Sequence, residues 1–368
     1  MPQTARFSAR ADLPGTHPLN IYLFHLISIK RSNLCVSADV SSTTALLRLA
    51  EEVGDYICVL KTHADIVDDF GERTIKGLKE ISRRKKFLLF EDRKFGDIGS
   101  TVQAQYTRGP LSIATWAHLT NAHIFPGVAT ITALKSAAAC TLDSLIQNVS
   151  TEITAGTPQG SSEGEEESDS DSGTDPIPNL RSERKSSVVR ATTTISQTFE
   201  GTKRTPATLA KMFSAGEGDD GDRIEALEAL GEPPHARALL LLAEMSSEGN
   251  LMTGSYTKKC VEAAREHDDF VVGFIAQRNL NDGREDNFVT MTPGVSLPAA
   301  EETQTSNKKG DGLGQQYRTP AKVVTDDGCD IIIVGRGILG AKDRGKEAER
   351  YRDAAWKAYE ARAGKKKR

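Results

Sequence analysis

A chain of 368 residues carrying 47 basic and 51 acidic residues, with a formal net charge of −4, lacks the basic excess of a nucleic-acid-binding domain, so small-molecule partners fit it better. Its five cysteines, Cys35, Cys58, Cys140, Cys260 and Cys329, form no Cys-x-x-Cys pair and are odd in number, which points to reduced thiols in a cytoplasmic protein. The apolar stretch at 21–29 is too short to span a bilayer and no signal-peptide core precedes it, so no membrane role is implied.

After an N-terminal extension read as helical, short apolar runs at 33–40, 56–60, 87–90 and 115–120 have the continuous hydrophobic character of strands buried on both faces. Between them, 42–53 opens on a Ser/Thr cap cluster, 72–86 carries Ile75, Leu78 and Ile81 amid charge, and 101–108 and 129–148 complete a set of helices. From about 150 the chain turns polar. Gly160 to Asp171 is an acidic, serine-rich run, and such composition buries too little apolar surface to offset the entropy of ordering. It reads as a largely disordered insertion, with one short helix at 222–230 where Ile224, Leu227 and Leu230 share a face. The rhythm then resumes with strands at 238–243, 270–276, 288–291 and 330–334 and helices at 256–267, 319–327 and 342–363.

Eight alternations of strand and helix are the pattern of a closed (β/α)8 barrel, the TIM barrel, although an open doubly wound sheet yields a similar string. No glycine-rich dinucleotide fingerprint follows the first strand, which favours the barrel. The expected organisation is a first barrel block at 1–149, the acidic insertion at 150–234 between the fourth helix and the fifth strand, a second block at 235–364 and a basic tail at 365–368.

In such a barrel, chemistry gathers where strands end at their C-terminal side. Asp39 ends the first strand, Lys61 and His63 the second, Asp92 and Lys94 the third, Ser246 and Ser247 the fifth. The string Phe90-Glu91-Asp92-Arg93-Lys94-Phe95-Gly96-Asp97 sets one lysine between two carboxylates, and side-chain alternation turns Asp92 and Lys94 the same way. After the seventh strand, Thr292-Pro293-Gly294 opens a long polar loop suited to a lid. After the eighth, Gly335-Arg336-Gly337 offers backbone amides and a guanidinium to a phosphate.

Taken in order, Leu60-Lys61-Thr62-His63-Ala64-Asp65-Ile66, the run from Phe90 to Thr101, Glu244-Met245-Ser246-Ser247, Met291-Thr292-Pro293-Gly294-Val295, the run from Gly314 to Thr319 and that from Asp330 to Gly337 closely resemble the signatures of fungal orotidine 5′-phosphate decarboxylases. The resemblance implies a homodimeric barrel that binds orotidine 5′-phosphate and releases UMP and CO2, with no metal or organic cofactor. It implies that Lys94 donates a proton to C6 of the pyrimidine, that Asp92 and Asp97 flank the substrate carboxylate, and that Lys61 and Asp39 hold the ribose and the charged network. Asp97 and Thr101 would reach the active site of the other subunit. Ser246 would meet the pyrimidine edge, while Gln315, Tyr317 and Arg336 would bind the phosphate and close the lid. Thr62, His63, Arg93, Phe95, Gly96, Ile98, Gly99, Ser100, Pro293 and Gly335 are further expected substrate contacts. Two other readings remain: a metal-dependent sugar-phosphate lyase or epimerase on the same barrel, and a catalytically silent nucleotide-binding scaffold.

Overall fold

Eight parallel strands close on themselves in sequence order in the computed structural model, which describes residues 5–155, 205–247, 249–298 and 317–364. They are β1 (Leu34–Ser37), β2 (Val59–Thr62), β3 (Leu88–Phe95), β4 (Leu119–Ala122), β5 (Ala238–Leu242), β6 (Val271–Ile275), β7 (Val289–Thr292) and β8 (Ile331–Val334). The closing pair is β8 with β1, where Cys35 aligns with Ile333. Every residue of β1, β2, β5, β6 and β8 is buried, because helices cover the outside and side chains fill the inside. The barrel predicted from the alternation of elements is therefore the fold observed.

Two helices, α1 (Phe7–Ala11) and α2 (Pro18–Lys30), precede β1, and α3 (Thr43–Val53), α4 (Glu72–Lys85), α5 (Gly99–Thr107) and α6 (Ala129–Ala155) follow the first four strands. Ser42 caps α3 by accepting the Ala45 amide, as the cap cluster predicted. Then come α7 (Pro206–Ala215) and α8 (Asp220–Leu230) before β5, α9 (Gly254–Glu266) after it, a π-helical turn (Lys322–Asp326) before β8, and α10 (Arg336–Leu339) and α11 (Arg344–Ala363) at the end. β6 passes to β7 without a helix.

Part of the stretch expected at 150–234 to be largely disordered forms regular helix: α6 runs on to Ala155, and α7 and α8 occupy most of 206–230. α7 starts with Thr205 accepting the Thr208 amide and ends on Gly216 in the left-handed region, and α8 carries a reciprocal Asp219–Asp222 capping box. Leu209, Ala210 and Phe213 of α7 and Ala226 of α8 pack on Ile29 of α2. That contact explains why α2 is apolar almost all round: it lies between two layers. The acidic run at 160–171 and the tail at 365–368 lie outside the described residues.

Charge is used structurally at the edge of the barrel where β8 begins. Asp330 is fully buried, and its Oδ1 accepts from Arg10 of α1 at 2.7 Å and from Arg362 of α11 at 3.2 Å, while its Oδ2 accepts the Thr290 amide. One carboxylate thus ties both chain ends to β7 and β8. Asp330→Ala is expected to lower stability by about 3–5 kcal/mol, since it leaves two buried guanidinium groups with their carbonyl and amide acceptors but without this countercharge; urea unfolding measures this, and a loss below about 1 kcal/mol would contradict it.

Candidate active site

A cavity of about 600 Å³ opens at the C-terminal mouth of the barrel. Among the residues expected to contact substrate, Asp39, Lys61, His63, Asp92, Lys94, Ser246, Pro293, Tyr317, Gly335 and Arg336 line it. Asp92 is at the centre of the charges. Its Oδ2 accepts from Lys61 Nζ at 2.7 Å and its Oδ1 from Lys94 Nζ at 2.6 Å. His63 bridges outward, with Nδ1 2.8 Å from Asp39 Oδ1 and Nε2 3.1 Å from Asp92 Oδ2. Ser37 donates to Asp39.

The strand that delivers Asp92 and Lys94 is not regular. Pairing of β3 with β4 shifts register between Glu91, opposite Thr120, and Phe95, opposite Ala122. Lys94 sits at φ 52°, a left-handed conformation that costs a lysine about 1–3 kcal/mol unless its surroundings impose it. The buried Asn121 imposes it: its Oδ1 accepts the Lys94 amide at 2.7 Å and its Nδ2 donates to Asp92 Oδ1 at 2.7 Å. Alternation alone predicted that Asp92 and Lys94 would point the same way; the bulge, clamped by Asn121, accompanies their approach to bonding distance. Asn121 had one sequence signal, a polar residue just past the end of an apolar run.

Burial opposes ionisation of Asp92, but Lys61, the His63 bond and Lys94 outweigh it and hold its carboxyl well below the usual range. Asp39 follows the same balance, burial against His63 and Lys61, and falls to about 2. For His63 burial favours the neutral ring, yet its bonds to Asp39 and Asp92 prevail and its pKa rises. Geometry agrees in direction, because each ring nitrogen lies closer to a carboxylate oxygen than to the ammonium groups of Lys61 and Lys94, 3.4 Å away. Two ammonium groups thus face two carboxylates, while Arg336 and the Glu244 carboxylate, which pairs with Arg278, also line the cavity.

The raised His63 value has a stability consequence with a defined sign. A cation favoured in the folded state contributes fully below its unfolded pKa, near 6.5, and the contribution is lost as pH rises through the folded value. Wild type minus His63→Gln stability is accordingly expected to shrink as pH rises above about 6.5. Thermal melts of both proteins across pH test this, and a difference that grows with pH would contradict it.

Other expected contacts do not line the cavity. Lys61 and His63 face it, so alternation turns Thr62 away, and its hydroxyl is buried against Glu91. Phe95 packs on Tyr106, and Arg93 lies over the Phe95 ring. Asp97 bonds to the Ile98 amide and to Gln105. With Gly96, Ile98, Gly99, Ser100 and Thr101 it forms the outer approach to α5, where Ile98 is 54 % exposed. Gln315 lies outside the described residues.

At the end of the cavity beyond β8, the Arg336 guanidinium lies 5.5 Å from the Tyr317 ring centroid. Gly337 is required there: a Cβ would come within 2.3 Å of the Tyr351 hydroxyl and push α10 off α11. Sequence reading missed Ser37, Leu242, Glu244, Met245, Ile275, Val295, Ser296 and Ile333 as lining residues. Most sit at or just beyond strand ends, but a serine or an aliphatic residue there carries no chemical mark.

Comparison with known proteins gives a consistent picture. Residues 32–351 match the model of the orotidine 5′-phosphate decarboxylase / HUMPS family. The chain is 46 % identical to the orotidine 5′-phosphate decarboxylase of Aureobasidium pullulans over 97 % of its own length and 94 % of the relative's. It is likewise 46 % identical to that of Hypocrea atroviridis, covering 97 % of each chain, and 38 % identical to that of Rhizomucor pusillus, covering 98 % of each.

Proposed function

The chain belongs to the orotidine 5′-phosphate decarboxylase family, and from that premise we propose how its cavity converts orotidine 5′-phosphate to UMP and CO2 as a carboxy-lyase. The observation that carries the proposal is the array of Lys61, Asp92 and Lys94, in which one partly buried carboxylate bonds two ammonium groups inside the cavity.

Cleavage of the bond between C6 and the carboxylate leaves an electron pair in an in-plane orbital on C6, with no carbonyl positioned to delocalise it. Stabilisation then has to come from a fixed cation and a ready proton. Lys94 supplies both: its ammonium faces the developing charge, its proton forms the new C6–H bond, and the amine recovers a proton from solvent. Asp92 holds Lys94 in place and sets a negative charge near the substrate carboxylate. Lys61 and Asp39 take the ribose, with His63 spacing their network, and Ser246 meets the base. Arg336, with Tyr317 and Gln315, takes the phosphate, whose binding energy orients the ring and draws the loop after Pro293 closed.

The protein works as a homodimer in this proposal, with Asp97 and Thr101 serving the neighbouring site. Support comes from their place outside the cavity of their own chain, beside an apolar edge where Ile98, Phe125 and Val128 are 54 %, 60 % and 45 % exposed. Thr130 joins the two loops by donating to the Asp97 carbonyl. We place the enzyme in the cytoplasm, where its four buried, unpaired thiols would stay reduced.

The deciding experiment follows the absorbance change on conversion of orotidine 5′-phosphate to UMP with and without EDTA. Turnover unaffected by EDTA is expected. Loss of turnover that divalent metal restores would favour a metal-dependent enzyme on the same barrel.

A further inference from the structure

Glu91 precedes Asp92 on β3 and, by alternation, turns away from the cavity that Asp92 faces. It is fully buried. Its partners are a hydroxyl and an amide rather than a cation: Oε2 accepts from Thr62 Oγ1 at 2.6 Å, and Oε1 accepts the Ala64 amide at 2.9 Å. Burial without a bonded countercharge pushes this carboxyl up to about 7. An acid in such a place is costly for packing alone, because an apolar residue would fill the same volume more cheaply.

The two donors have one residue between them, and that residue is His63. One carboxylate therefore grips the backbone on both sides of His63, through the Thr62 side chain before it and the Ala64 amide after it. The Ala64 amide opens the short 3-10 turn Ala64–Ile66, so the grip also fixes where β2 gives way to loop. His63 in turn touches Asp39, Asp92 and, at 3.4 Å, Lys94. At its other end Glu91 is bonded covalently to Asp92, and its carbonyl accepts from Thr120, which anchors the strand just before the register shift. The segments carrying Lys61 and Asp92 are already paired neighbours in the barrel, and where that pairing ends, at Thr62 opposite Glu91, this side chain carries the connection past His63 to the Ala64 amide.

We infer that Glu91 is a positioning residue for the decarboxylation, locking the β2 loop to β3 so that His63 and Lys61 meet Asp92 at bonding distance. The inference rests on the proposed role of the Lys61, Asp92 and Lys94 array. Glu91 touches no substrate in this scheme. Its effect passes through His63 and Asp92, so its loss lowers kcat more than it raises KM.

Four variants test it: Glu91→Gln, Glu91→Leu, Thr62→Val and, as reference, Lys94→Ala. Glu91→Gln keeps an acceptor for the Ala64 amide and offers an N–H to the Thr62 hydroxyl, so kcat within about threefold of wild type is expected. Glu91→Leu is expected to lose about 10–100-fold in kcat, as is usual when an outer partner of a reacting group is removed, with KM changed far less. Thr62→Val removes one arm of the grip at nearly constant shape and is expected to lower kcat several-fold with its melting temperature nearly kept, so it decides the matter should Glu91→Leu not fold. Imidazole ¹⁵N NMR adds a readout that a merely structural role would not move, since the His63 titration should shift in Thr62→Val. Wild-type kcat and an unshifted His63 in folded Thr62→Val, with Lys94→Ala inactive, would overturn the inference alone. Turnover retained by Lys94→Ala would instead overturn the reading on which it rests.

Discussion

Lys94→Ala is expected to lose at least about 10⁴-fold in turnover of orotidine 5′-phosphate while the barrel stays folded. The magnitude follows from the two duties assigned to one ammonium group. General-acid catalysis contributes about 10²–10⁴-fold, and loss of a preorganised charge at the reacting atom typically costs a further 10²–10³-fold, roughly. The fold should survive because the side chain is partly exposed and touches mainly Asp92, which keeps Lys61 and Asn121 as partners. The backbone sharpens the test. Alanine at φ 52° is as strained as lysine, whereas Lys94→Gly relieves that strain, so the glycine variant should be equally inactive yet melt higher than the alanine variant. Turnover measured by absorbance, with circular dichroism and thermal melts as controls, gives the answer. Turnover within tenfold of wild type in folded Lys94→Ala would remove Lys94 from the chemistry.

The barrel was legible because each strand is an unbroken apolar run closed by polar residues, and that pattern survives any detail of side-chain packing. Asp39, Lys61, His63, Asp92, Lys94 and Arg336 were legible for a related reason: charge at the end of a buried strand is conspicuous. What the sequence hid depends on geometry. Asn121 matters only because β3 skips register beside it, and nothing in Leu119-Thr120-Asn121-Ala122 announces a bulge in the neighbouring strand. Thr62 was misplaced because the motif was read as a block, although alternation puts it on the opposite face from Lys61. Helix α7 was missed since Leu209 and Phe213 are few apolar residues in a polar neighbourhood, and their partner, Ile29, lies far away in sequence. Composition reports how much a segment can bury by itself, not what another helix already exposes to it.

Mixing two inactive chains is expected to restore activity, and this separates a shared site from a self-contained one. Within its own chain Asp97 bonds to Ile98 and Gln105 and stays out of the cavity, while Lys94 lies inside it. If Asp97 serves the neighbouring subunit, a dimer of Lys94→Ala with Asp97→Asn has one site carrying both defects and one site carrying none. Random reassortment of equal amounts makes half the dimers mixed, so activity should return to about a quarter of the wild-type value from two parents that each fall roughly 10³-fold or more. A site built from a single chain predicts the opposite. Each mixed dimer would then hold one site lacking Lys94 and another lacking Asp97, and no activity would return. Copurification of differently tagged chains shows whether subunits have exchanged. Exchange without recovery would assign Asp97 to its own subunit and leave the exposed edge of Ile98, Phe125 and Val128 without a catalytic reason to be covered.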